Sequence, residues 1–154
     1  MTEFGKLTRR SLFAAAAIVA IAAPGLAGSA KAETATEKAN VKVVNDFIAA
    51  WNDPDKAVTF LSDKASVRMV EDQPAVVGPA AVGAAFKSFM TPGVSLTVKT
   101  LSTTAHGPVV LNSRVDTMKT PGKPDQAFPV AGVFIVKDGK IVEWSDYTIA
   151  IDRA

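Results

Sequence analysis

The sequence predicts an α+β domain, with three helices in the front half followed by a curved antiparallel meander. Three observations predict it. Apolar residues recur at helical spacing as far as Met90, the period changes to two from Val94 onward, and turn signals at Gly107-Pro108 and Asp138-Gly139 punctuate the second half. At 154 residues there is room for one domain, and 48% apolar against 21% charged residues is the composition of a chain that packs a core.

The first element is a leader over residues 1–32, the domain proper being 33–154. Lys6 to Arg10 is a charged start, and Leu12 to Gly28 an alanine-rich apolar run interrupted by Pro24. Ala30-Lys31-Ala32 then supplies small residues for a signal peptidase, which makes Glu33 the expected mature start. The run is too short and too weakly apolar for the ~20 residues of a membrane span, so no stable anchor is expected after the leader is removed. Thr8-Arg9-Arg10-Ser11-Leu12-Phe13 resembles a twin-arginine export signal, which implies a folded protein delivered to a bacterial periplasm.

A polar linker is expected from Glu33 to Lys38. The stripe Val41, Val44, Ile48 and Trp51, with Phe47 alongside, then predicts a helix whose apolar face, Trp51 included, is core. Asp53-Pro54 opens a second, short helix as cap and first residue, with Ala57, Phe60 and Leu61 inward. Ser66 to Val70 alternates as a short strand, and Glu71 to Pro79 is a loop in which Glu71-Asp72 is a solvated pair. Pro79 starts a third helix reaching Met90, with Val82, Ala85, Phe86 and Phe89 inward. Strands are expected from Val94, then over Val109–Lys119, Phe128–Lys137 and Lys140–Ile151. Pro129 cannot donate to a ladder, so full pairing of its strand is expected from Val130.

Composition narrows the chemistry. With no cysteine there is no thiolate nucleophile and no cysteine-ligated metal, and the only histidine, His106, falls at a turn where exposure is expected. Outside the leader the chain has a net charge of −1, which gives nucleic acid nothing to hold. No metal or other cofactor is called for.

The strand period decides which side chains share a face. Val110, Asn112, Arg114, Asp116 and Met118 form one, with Phe128, Val130, Gly132, Phe134 and Val136 on the next strand and Val142, Trp144, Asp146, Thr148 and Ala150 on the last. Together they line an apolar concavity against the helices. Charges facing such an interior must pair, so Arg114 is expected between Asp116 and Asp146, whose backbones stand ~10 Å apart across the small Gly132. Two carboxylates around one guanidinium form a plausible acid–base set. A three-residue turn at Asp138-Gly139 would set Gly132 opposite Trp144; a two-residue turn would shift that register by one. The opposite face carries Val109, Leu111, Val115, Val133, Ile135, Ile141 and Ile149, an apolar patch of the kind a homodimer buries.

Arg114-Val115-Asp116, Gly132-Val133-Phe134, Asp138-Gly139-Lys140-Ile141 and Trp144-Ser145-Asp146-Tyr147 resemble the back half of the limonene-1,2-epoxide hydrolase family. That family lies within the cone-shaped nuclear transport factor 2, polyketide cyclase and ketosteroid isomerase superfamily. The resemblance implies a cone of three helices on a curved, mainly antiparallel sheet, a homodimer, and cofactor-free opening of a small apolar epoxide. It implies Asp146 as the base that deprotonates water, Asp116 as the acid that protonates the epoxide oxygen, and Arg114 as the group that holds both. Trp144, Phe128, Val130 and Phe134 would line the substrate pocket. The family also positions its water with a tyrosine and an asparagine two residues apart on the first strand. Aligning Asp63-Lys64-Ala65 puts Ser66 and Arg68 at those places: serine lacks the reach, and arginine cannot accept a hydrogen bond. Two other readings stay open: another cofactor-free proton transfer, such as isomerisation or cyclisation, and a non-catalytic pocket for a small apolar ligand or a partner protein.

Overall fold

The structure, a computed structural model, describes residues 32–149. The expected leader, apart from Ala32, and the end of the last expected strand lie outside the described residues.

Helix α1 (Ala35–Ala49) starts within the stretch expected to be linker. Thr34 caps it, accepting from Glu37 N at 3.1 Å, while Glu37 accepts from Thr34 N at 2.7 Å. This capping box satisfies two amides that the helix itself cannot, which extends it beyond the apolar stripe. Glu37 also accepts from Gly107 N, and the Asn40 amide donates to Gly107 O, so the start of α1 is fastened to a turn of the sheet. Asp53 caps α2 (Pro54–Ala57) by accepting from Lys56 N, and a 3-10 turn, Val58–Phe60, follows. That tighter turn releases Leu61 from the helix to begin strand β1 (Leu61–Arg68), earlier than the expected Ser66. The loop after β1 contains a two-residue strand, β2 (Val76–Val77), before α3 (Pro79–Phe89). Val82 and Phe86 are buried there, but Phe89, expected inward, is the last helical residue and is 45% exposed, lining a cavity instead of the core.

Strands β3 (Ser95–His106), β4 (Val109–Lys119), β5 (Gln126–Lys137) and β6 (Lys140–Thr148) form the meander. The order is β2-β1-β6-β5-β4-β3, with β1 parallel to β6 and every other pair antiparallel. The three helices pack on one face of this curled open sheet. On the β4 side β5 pairs from Gln126, two residues before its expected start, while on the β6 side the ladder begins at Val130.

Of the two turns left open for the β5–β6 hairpin, the chain makes the two-residue one. Asp138 and Gly139 both have positive φ (50° and 71°), as a two-residue turn of the hairpin type requires, and Lys137 pairs with Lys140. One step on, the ladder shifts: Val136 faces Ile141, but Ile135 faces Glu143, so Val142 is an inserted bulge residue. The bulge sets Gly132 opposite Asp146 and Phe134 opposite Trp144. It also turns Ile141 into the core, fully buried, rather than onto the outer patch, and Val142 rather than Ile141 leaves the inner face.

The core is aromatic at its centre. Phe47 meets Trp51, Phe60, Phe86, Phe134 and Trp144 edge-on, at centroid distances between 5.3 and 6.4 Å. Such edge contacts suit the ring quadrupole and add to the area that the rings bury.

Candidate active site

Alternation along β4 turns Val110, Asn112, Arg114 and Asp116 inward, and all four are buried. Across the sheet, Asn112, Gly132 and Asp146 make one row and Arg114, Val130 and Thr148 the next. The Arg114 side chain leaves its row and lies over Gly132. A Cβ on that glycine would stand 2.6 Å from Arg114 Nη1, 2.8 Å from Phe134 Cε2 and 3.0 Å from Asp146 Oδ1. Only a residue without a side chain leaves the guanidinium this path.

Arg114 is fully buried and its donors are shared among three acceptors. Nε donates to both Asp116 oxygens at 3.0 and 3.1 Å, Nη2 donates to Asp146 Oδ2, and Nη1 approaches Asn112 Oδ1 at 3.4 Å. Its Cζ lies 4.7 Å from the centroid of the Trp51 ring, where the ring's negative face favours a cation. Trp144 Nε1 donates to Asp146 Oδ1 at 2.6 Å. Asn112 is anchored from behind by its amide, which donates to Thr103 Oγ1 at 2.8 Å. The expected Asp–Arg–Asp set is therefore assembled, with Asn112 and Trp144 as supports.

Burial disfavours a charged carboxylate, so both acids are pushed up, Asp146 to about 6. The Arg114 guanidinium pulls both back, and the Trp144 N–H also favours the Asp146 anion, but burial outweighs them. Two acids around one cation titrate as a set, which keeps a proton available well above the ordinary carboxylate range.

The set opens into a cavity of about 280 Å³. Trp144, Phe128 and Val130 line it as expected. Phe134 does not: it is fully buried behind Trp144, its ring stacked on that indole at 5.7 Å and 5°, because the bulge brings the two residues opposite each other. Trp51, expected only in the core, is both core and cavity wall, and its buried Nε1 has no hydrogen-bond partner. The helical wall and the mouth were missed. Phe86, Phe89 and Met90 come from α3 and its end, Met69 and Val70 from just past β1. Nothing local signals that these segments converge.

Ser66 and Arg68 are not at the water-positioning places. Ala65 and Val67 are fully buried, which puts the intervening Ser66 and the following Arg68 on the other face of β1. Arg68 lines a polar surface groove with Glu71, Asp72 and Tyr147 instead. The inward residues of this segment are Val67 and, lining the cavity, Met69. A wider groove of about 600 Å³ lies between the start of α1 and the Asp138-Gly139 turn, away from both acids. Among the described residues no three His, Cys, Asp or Glu side chains converge to hold a metal ion.

A curled, mostly antiparallel sheet carrying three helices on one face is the nuclear transport factor 2-like fold. Solved structures of that fold superpose on it. One is a protein from Catenulispora acidiphila with a ketosteroid isomerase-like fold (17% identity, TM-score 0.62, 69% of this chain and 84% of that one). Another, from Jannaschia, is described as a SnoaL-like polyketide cyclase (22%, 0.63, 75% and 88%). Within the class, the family profile of the limonene-1,2-epoxide hydrolase catalytic domain matches residues 38–152, and the chain belongs to that family. An LEH-like epoxide hydrolase of Mycobacterium tuberculosis is 28% identical, with a TM-score of 0.65 over 73% of this chain and 84% of its own. No curated protein matches the chain.

Proposed function

We propose that the protein hydrolyses a small apolar epoxide to a diol by direct attack of water. The observation that carries this reading is the buried Arg114 bonded at once to two cavity-lining carboxylates. Each Asp146 oxygen accepts from a fixed donor, which suits the ionised form and hence the base. Asp116 takes a single shared N–H, which leaves it lone pairs on which to carry a proton toward the cavity. Burial pulls the other way, since it raises Asp146 strongly; the two fixed donors favour the Asp146 anion, and Asp116 takes its proton from solvent through the cavity. Asp146 then takes a proton from water as the water oxygen attacks an epoxide carbon. The carbon–oxygen bond breaks, and Asp116 delivers its proton to the departing oxygen. Exchange with solvent returns one proton to Asp116 and removes one from Asp146.

The test is a single turnover of cyclohexene oxide with enzyme in excess in heavy-oxygen water. The label is expected in the diol at once, and Asp146→Asn or Asp116→Asn should each lower kcat at least ~10²-fold. Label that enters the protein first, with unlabelled diol released, would mean a covalent route and overturn these roles. A second reading, isomerisation or cyclisation within one substrate molecule, is favoured by Val67 and Met69, which offer water at most a weak thioether acceptor. It predicts rearranged product without label.

A further inference from the structure

We infer that the Thr148 hydroxyl holds the attacking water against Asp146; this deepens the hydrolytic reading above and rests on it. A water that gives one proton to a carboxylate is oriented only if a second acceptor takes its other proton. The cavity offers few. From the first-strand side Val67 presents no acceptor and Met69 only a thioether sulfur, a weak one. The Trp51 and Trp144 indoles can only donate, and Trp144 is already spent on Asp146. Asn112 is occupied by Arg114 and Thr103 and does not line the cavity. Thr148 does line it, on the same face of β6 as Asp146 and two residues further on. At that separation the two Cα atoms stand ~6.6 Å apart. One water spans up to ~5.6 Å between two oxygens, so it can bridge the two side chains as they lean together. The threonine oxygen accepts the spare proton and the hydroxyl keeps its own for a further bond. The water then faces the cavity with its remaining lone pair.

Two measurements test this on the mature chain and on Thr148→Val and Thr148→Ser. Valine keeps the branched shape that suits a strand and deletes the hydroxyl; serine restores it. In a high-resolution crystal structure without ligand, an ordered water is expected within hydrogen-bond distance of both Asp146 and Thr148 Oγ, and it should be gone in the valine variant. With cyclohexene oxide, the valine variant should lose about tenfold in kcat with KM nearly unchanged, the worth of one hydrogen bond made to the attacking water, and serine should recover most of it. A wild-type cavity without the bridging water, or a folded valine variant with wild-type kcat, would overturn the inference. The bridging water present in a wild type that turns over no epoxide would support the role of Thr148 and overturn the hydrolytic reading alone.

Discussion

Gly132→Ala is the smallest change that tests the architecture of the site. The added methyl carbon would stand 2.6 Å from Arg114 Nη1, while ordinary van der Waals contact begins near 3.4 Å, so the overlap is about 0.8 Å. A free arginine end would slide aside. This one is tied to Asp116 through Nε and to Asp146 through Nη2, and the same methyl presses on Phe134 Cε2 at 2.8 Å and on Asp146 Oδ1 at 3.0 Å. Overpacking of this kind costs ~1–3 kcal/mol, against ~0.5–1 kcal/mol regained by replacing glycine within a strand. The net is a loss of up to about 2 kcal/mol, or a fall in Tm of up to a few degrees. Turnover should suffer far more, by ~10²-fold or greater, because a displacement approaching 1 Å separates the groups that must act together. Thermal melts and epoxide kinetics on the same preparation give both numbers. An alanine variant with unchanged Tm and unchanged kcat would mean that the guanidinium does not cross above Gly132, and the bridged acid set would be wrong.

Four further outcomes are expected. Because the Asp146 pKa is raised to about 6 in the fold, the native state binds more protons than the unfolded chain between about pH 4 and 6. The contribution of this group is therefore full below about pH 4 and lost as pH rises through 6; comparing wild type with Asp146→Asn by denaturant melts across that range should show a relative decline of roughly 3 kcal/mol. Trp144→Phe removes a donor that favours the Asp146 anion, so the pH–rate profile should move upward by ~1 unit, and an unmoved profile would assign the indole to packing only. We propose a homodimer formed through the outer sheet face, where Leu111 and Ile149 are exposed; a monomer in sedimentation at micromolar concentration would refute it. We also propose export by the twin-arginine route, so that periplasmic material should begin at Glu33 and replacing Arg9 and Arg10 by lysine should retain the precursor in the cytoplasm.

The sequence by itself determined the elements whose signals are local. The change of period at Val94, the Gly107-Pro108 turn and the Asp53-Pro54 helix start each act within a few residues, and each appears where it was read. The acid set was legible for the same reason: alternation alone puts Arg114 and Asp116 on one face, and an interior charge must find a partner. The capping box at Thr34 and Glu37 was also local, but it lay beyond the apolar stripe and went unread. Tertiary structure decided the rest. The Val142 bulge moved the register by one residue, so that Gly132 rather than Ala131 faces Asp146 and Phe134 is sealed behind Trp144, and a one-residue insertion leaves no mark in a run that reads as continuous strand. The facing of β1 was settled by its packing: Ala65 and Val67 fill the core, which carries Ser66 and Arg68 outward whatever an alignment suggests. The cavity mouth came from α3 and the segment after β1, brought together by burial of Phe86 and Val67 against one core, and no spacing along the chain encodes that meeting.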